Sequence, residues 1–374
     1  MAGLYIHIPF CKSRCIYCGF YSTTDMAFRQ RYVDALCKEM IFRGERSEER
    51  GERIETVYLG GGTPSQLTAE QLQQLFDGIL KVYDVVPDAE MTMECNPDDV
   101  TDQFAAMLSQ LPVNRVSMGA QTFDDKRLRF LHRRHQASQV GEAVKRLRNA
   151  GIDNISIDLM YGFPGETLDE WKHDIDAALA LDVEHLSAYC LMIEEGTPLY
   201  RMMHKEKTSS LCDEELERQM YEMLIDRLTA AGFEHYELSN FARPGRRSRH
   251  NSSYWQDVPY IGLGAAAHSY DGQRRSWNVS DIRRYMEGIE QGLPVSEGEE
   301  LDADTHYNDR ITVALRTCEG LPLDELSERH RNYLLKAATR YLKDGLLQLT
   351  DNHLRLTRRG LFVSDMVMAD LMLV

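Results

Sequence analysis

Cys11, Cys15 and Cys18 stand at a C-x3-C-x2-C spacing directly after a short apolar run, Leu4–Ile8. Thiolates at that spacing can hold one iron–sulfur cluster from a single loop. Three ligands for a four-iron cluster leave one iron without protein, a vacancy of the kind catalytic zinc sites keep for chemistry. The competing readings are three core cysteines or a zinc knuckle. The knuckle needs a fourth ligand, and nearby His7 lies on a strand expected to be buried.

Other reactive residue types recur after similar apolar runs. Gly60-Gly61-Gly62-Thr63-Pro64-Ser65 follows one, Glu94-Cys95-Asn96-Pro97 another and Gly119-Ala120-Gln121 a third; Asp158 precedes Tyr161-Gly162-Phe163-Pro164-Gly165. Glycines admit close backbone approach, and exposed N–H and C=O groups can hold an ammonium or a carboxylate. Glu94 and Asp158 can accept from ribose hydroxyls or an ammonium, and either needs a partner once buried. Arg133, with Arg134 beside it as competitor, can grip a carboxylate through two parallel hydrogen bonds. Taken singly, each has a plain alternative: a turn, a cap, an ion pair or a surface arginine.

These residues meet only if the elements before them run side by side. Six short runs, Leu4–Ile8, Thr56–Leu59, Glu90–Glu94, Arg115–Met118, Asn154–Leu159 and His185–Leu191, carry β-branched or aromatic residues as buried strands do. Helical periodicity fills Phe28–Phe42, Ala69–Tyr83, Ser138–Ala150 and Leu168–Leu181. The alternation predicts parallel strands with helical crossovers, an α/β partial (β/α)6 barrel. Loops at the C-terminal ends of such strands converge, and the residues above all fall there. A long helix is expected over Asp213–Ala231, then an irregular Arg-, Gly- and Ser-rich segment over 240–280. Beyond Asp304, helices near Asp304–Thr317, Pro322–Glu328 and Asn332–Asp344 precede a hairpin turned at Asp351-Asn352, a small winged-helix-like C-terminal domain. The expected boundaries are 1–205 for the barrel, 206–300 for an accessory region and 301–374 for the C-terminal domain. The charged stretch Arg43–Arg53 reads as a solvated loop.

The chain has 374 residues, 43% hydrophobic and 27% charged, with net charge −16. So acidic a balance argues against nucleic acid as the main partner. A local basic patch exists at Arg243, Arg246, Arg247 and Arg249. No apolar run reaches the roughly 18 residues of a membrane span, and the N-terminus lacks a secretory leader pattern. A cytoplasmic setting is expected, where thiols stay reduced.

The C-x3-C-x2-C motif with Tyr17 resembles the signature of the radical-SAM superfamily. That resemblance implies a [4Fe-4S] cluster whose open iron takes S-adenosylmethionine, an electron donor for the cluster, and cleavage to a 5′-deoxyadenosyl radical. Tyr5-Ile6-His7-Ile8-Pro9-Phe10-Cys11, then GGGTPS, E-x-N-P, G-x-Q-T-F-x-D, R-x-H and D-L-M-Y-G-F-P-G, resemble in order the oxygen-independent coproporphyrinogen III oxidase group. By motif position the resemblance implies that Tyr5, Gly61, Gly62, Thr63, Glu94, Gln121, Arg133 and Asp158 contact S-adenosylmethionine. Those oxidases carry a fourth cysteine two residues after the third, where this chain has Phe20, and an N-terminal extension. Both departures are similar to a sister subfamily, the haem chaperones of HemW type. His250-Asn-Ser-Ser-Tyr254-Trp255 resembles that subfamily's H-N-x-x-Y-W motif. The likeness implies haem binding, with His250 as iron ligand, Tyr254 and Trp255 covering the porphyrin face, nearby arginines on the propionates, and a haem-accepting partner protein. The alternative is oxidative decarboxylation of coproporphyrinogen III to protoporphyrinogen IX, or a radical reaction on another substrate.

Overall fold

Residues of period two in the first half fold into six parallel strands. The computed structural model describes residues 2–44, 53–205 and 212–373. The strands are β1 (Ala2–Ile8), β2 (Arg53–Gly61), β3 (Asp84–Cys95), β4 (Arg115–Gln121), β5 (Ile155–Tyr161) and β6 (His185–Cys190). They pair in sequence order, all parallel. One face carries Leu4, Ile6, Val57, Leu59, Met93, Val116 and Ile157, which join the main core beneath the helices. The other face carries Tyr5, Tyr58, Glu94, Ser117 and Asp158, and these side chains reach one another across neighbouring strands. That contact requires the sheet to curl, with a polar concave side. The alternation is what a half-barrel with a wet lumen demands.

The crossover helices start where the sequence signals them. Thr68 caps Ala69–Val82 in a capping box with Gln71, and Thr167 caps Leu168–Ala180 in one with Glu170. Asp213 caps Glu214–Ala230, and Gly232 follows at φ 85°.

The segment expected to be irregular, 240–280, is instead largely structured. After β7 (Glu234–Glu237), β8 (Asn240–Ala242) pairs antiparallel with β6 and extends that edge of the sheet, with β7 outermost. A short helix spans Arg249–Trp255. β9 (Tyr260–Leu263) then pairs parallel with β1, and β10 (His268–Tyr270), β11 (Arg274–Asn278) and β12 (Ser296–Glu300) continue outward. Most of these strands have only three to five residues, too few for periodicity to register.

The C-terminal part has its own core around Tyr307, Ile311, Leu334 and Leu354. Helices Ala303–Ala314 and Glu328–Lys343 and the hairpin Leu347–Thr350/His353–Leu356 match expectation, and Asp351 and Asn352 both turn at positive φ. The helix expected over Pro322–Glu328 is absent. Leu321–Pro322 pairs with the hairpin, and a 3-10 turn over Leu323–Glu325 buries Leu323. Residues 45–52 of the charged stretch lie outside the described residues. No described helix is long and apolar enough to cross a membrane.

Candidate functional site

The C-terminal ends of the six strands ring a cavity of about 440 Å³ that runs down into the lumen. Cys11, Cys15 and Cys18 line its mouth. A chain of contacts joins four strand ends there. Cys11 Sγ lies 3.5 Å from Thr63 Oγ1, and Asn96 Nδ2 donates to that hydroxyl at 3.4 Å. Arg133 Nη2 donates to Asn96 Oδ1 at 2.7 Å and to the Gly119 carbonyl at 2.6 Å, while Nη1 approaches Cys15 Sγ at 3.6 Å. The buried Nε of Arg133 has no hydrogen-bond partner among the described residues. Arg134, the competitor, is held by Asp98 and Asp99 at 3.1 and 3.0 Å.

The glycine run works differently from its sequence reading. A Cβ on Gly62 would stand 2.7 Å from the Ile8 carbonyl oxygen, and one on Gly61, at φ 106°, 2.4 Å from the His7 ring. These glycines let the loop press against the end of β1, beneath the cysteine loop. Gln121 closes β4 at φ 68°, costly for a side chain with a Cβ. His135 Nε2 on the Ala120 carbonyl and Asp174 on Thr122 Oγ1 and the Phe123 amide hold that bend.

Below the mouth the lumen carries acids in unusual states. Glu94 accepts from Tyr58 Oη at 2.8 Å and from the Gly61 amide at 3.1 Å. Burial raises its carboxyl to about 7. Burial raises Asp158 to about 6, against a hydrogen bond from Ser187 and the charges of Arg115 and Arg133. Burial also pushes up the Cys11 thiol and takes Cys18 to about 11. Carboxyls poised near neutrality in a cleft mark a functional site more often than a scaffold.

Ten of the expected cofactor and cluster residues therefore share one cavity: the three cysteines, Gly61, Gly62, Thr63, Glu94, Gln121, Arg133 and Asp158. Tyr5 stands behind the wall, its hydroxyl 3.0 Å from His7 Nδ1 and its ring 6.2 Å from Tyr58. Tyr58, Arg115, Ser117 and Asn251 also line the cavity and were not anticipated. Tyr58 stands between Val57 and Leu59 in β2 and Ser117 between Val116 and Met118 in β4, in runs too short to separate alternation from a continuous apolar strand.

His250, Tyr254 and Trp255 do not line it. His250 is 1% exposed, with Nδ1 2.8 Å from Thr56 Oγ1 and Nε2 2.8 Å from Tyr254 Oη. Its backbone amide donates to Glu90 Oε1 at 3.0 Å, and burial drives its imidazole down to about 3. As folded, neither ring nitrogen is open to a metal; the helix Arg249–Trp255 plugs the N-terminal end of the lumen. Trp255 packs under Arg316, its indole N–H buried without a partner among the described residues. The basic patch is largely committed: Arg243 to Asp182 and the Ala231 carbonyl, Arg247 to Glu234 and Glu319, Arg249 to the Asp88 carbonyl.

Residues 5–178 match the radical SAM superfamily, and residues 301–363 the HemN C-terminal domain. The heme chaperone HemW of Bacillus subtilis (strain 168) is 36% identical over 375 residues, covering 98% of each chain. The heme chaperone HemW of Escherichia coli (strain K12) is 34% identical over 76% of each. Among solved structures, coproporphyrinogen III oxidase (HemN) from Escherichia coli, a radical SAM enzyme, is similar with a TM-score of 0.84. At 22% identity over 99% of this chain and 89% of that one, the likeness shows a common fold.

Proposed function

This chain belongs to the family of the heme chaperone HemW, with a radical SAM domain, and from that premise we propose that it binds haem and passes it to an acceptor protein while carrying a [4Fe-4S] cluster and S-adenosylmethionine. The observation that carries the cofactor part is the mouth of the lumen, where three cysteines open onto a cavity that also holds an unpartnered Arg133 Nε. Among the described residues no three His, Cys, Asp or Glu side chains are arranged to hold a single metal ion. Three thiols from one loop suit the larger cluster, which spans more than one ion does. When bound, the cluster supplies the electron that cleaves the sulfonium of S-adenosylmethionine, so an electron donor is required.

The chain's own residues do the rest. Cys11, Cys15 and Cys18 would hold the cluster. Arg133 offers its free N–H to a carboxylate, a charge-assisted bond. Glu94 and Asp158 accept from an ammonium or from ribose hydroxyls. Gln121, fixed by its strained turn, presents its amide to the ligand, and Gly61, Gly62 and Thr63 form the wall beside it. Tyr5 positions the site through His7 and Tyr58.

Haem binding follows the named relatives. At the mouth, Phe20, Tyr189 and Met192 are 70%, 42% and 65% exposed and line the same cavity. They offer a porphyrin exposed apolar side chains. Ligation by His250, with Tyr254 and Trp255 beside the ring, requires the helix Arg249–Trp255 to leave Thr56 and Glu90 first. The experiment is an anaerobic haem titration of the cluster-loaded protein and its His250→Ala variant, followed in the Soret region. Saturable binding near one haem per chain supports the reading. A spectrum altered by the variant assigns the iron to His250; an unchanged one leaves haem at the mouth. No saturable binding, with turnover of coproporphyrinogen III instead, replaces the chaperone by the oxidase.

A further inference from the structure

The helix Arg249–Trp255 that plugs the lumen is held at its two ends by different parts of the chain. At its start, the Arg249 and His250 amides donate to the Glu90 carboxylate at 2.9 and 3.0 Å, and the His250 ring lies between Thr56 and Tyr254. Those partners belong to the barrel or to the helix itself. At its end, the C-terminal part takes over. Asp257, two residues past the helix, has one carboxylate oxygen 2.8 Å from His306 Nε2. Its other oxygen accepts from Tyr270 Oη, on β10, at 2.6 Å. His306 lies on Ala303–Ala314, and Asp309 of that helix pairs with Arg275 of β11 at 3.1 Å. The guanidinium of Arg316, just past the same helix, stands 5.2 Å from the centre of the Trp255 ring.

The docked end of the plug is under strain that these contacts must offset. Asp257 has φ 58°, a left-handed backbone that is costly for a residue with a Cβ. The Trp255 indole N–H is buried with no hydrogen-bond partner among the described residues, which costs the desolvation of a donor. Outliers of this kind persist where the surroundings over-determine them, and they gather at switches. On the other side the chain enters through Pro244-Gly245, with Gly245 at φ 74° and open space where a Cβ would stand. The helix thus has an unobstructed turn before it and a strained attachment after it.

We propose that the C-terminal part is a clasp on this helix: His306 on Asp257, with Arg316 over Trp255, keeps His250 enclosed, and haem gains the His250 ring when the clasp opens. The haem half rests on the function proposed above; the clasp itself does not. His306 and Asp257 are positioning residues, acting on His250 through the helix. Their side chains are 34% and 32% exposed. A pair so placed is weak enough to break without unfolding the protein and strong enough to bias an opening equilibrium. The core around Tyr307, Ile311, Leu334 and Leu354 includes no residue of the plug, so the plug can leave with that core intact.

The test uses the cluster-loaded full chain and its His306→Ala and His306→Gln variants. Amide hydrogen exchange over 249–255 is measured without haem, and the rate at which the Soret band develops is measured with it. The clasp predicts that His306→Ala speeds both about threefold to tenfold and leaves exchange in the helix Glu328–Lys343 unchanged. His306→Gln, whose amide can still donate to Asp257, returns both toward wild type. Unchanged exchange over 249–255, or exchange raised equally throughout the C-terminal part, overturns the clasp. Raised exchange with haem binding no faster overturns its control of His250. If His306→Ala does not fold, Asp257→Asn carries the same comparison, since asparagine tolerates the left-handed backbone. A Soret band identical in His250→Ala removes His250 from the functional reading, and its control by the clasp falls with it. A band altered in His250→Ala, with neither exchange nor rate moved in His306→Ala, sinks the inference alone.

Discussion

Glu94 ionises against its surroundings, and the direction is measurable. Its folded carboxyl, raised by burial to about 7, holds a proton that the unfolded chain releases near 4.5. Between those values the native state binds more protons, so its contribution falls as pH rises through the window. Glu94→Gln removes that loss. The difference in Tm between the variant and the wild type, both ligand-free, should therefore grow in the variant's favour from pH 5 to pH 8. A flat difference would mean that the carboxyl is not held neutral. The cysteines give a second residue-scale test. Alanine at Cys11, Cys15 or Cys18 should each leave reconstituted protein well short of a full cluster by iron and sulfide analysis. Alanine at Cys37, on an outer helix with its thiol near the Gln74 carbonyl, should not.

Among the elements, the loop after β2 is the most tightly specified. Gly62→Ala places a methyl against the Ile8 carbonyl and Pro9. Overpacking of that kind costs about 1–3 kcal/mol, read as a lower urea midpoint, with reduced cluster retention because the cysteine loop begins two residues beyond Pro9. The strand-end motifs were legible because each is contiguous and each follows an apolar run, so topology alone brings them together. Arg115 and Ser117 escaped because a four-residue run, Arg115–Met118, is too short to separate alternation from a continuous apolar strand. Asn251 escaped for a different reason: it arrives from a helix nearly a hundred residues downstream of β5, through packing that no local pattern encodes. The same packing explains His250. Its motif is visible in the sequence; its enclosure by Thr56, Tyr254 and Glu90 is not.

At the scale of the whole molecule, the C-terminal part is latched to the edge of the sheet. The Leu238 amide donates to the Arg316 carbonyl and the Cys318 amide to the Tyr236 carbonyl, each at 3.1 Å. Arg316 pairs with Glu237, whose side chain is 1% exposed, at 2.8 Å. Breaking a buried pair from one side costs about 3 kcal/mol, so Arg316→Met should lower the urea midpoint with little change in slope. It also removes the cation over Trp255, so any coupling between this latch and the helix Arg249–Trp255 should appear as altered haem binding in the same variant. The double edge of the sheet, with β7–β8 on one side and β9–β12 on the other, was not legible beforehand. Its strands are too short to announce themselves and gain their stability by adding to a sheet already formed.

The most direct measurement is haem transfer. The cluster-loaded protein is charged with one haem, mixed anaerobically with a haem-free acceptor, and the acceptor's own absorbance is followed. A carrier predicts that haem leaves this chain and appears in the acceptor in equal amount. Haem that never loads or never leaves, from a protein that instead decarboxylates coproporphyrinogen III, would contradict it.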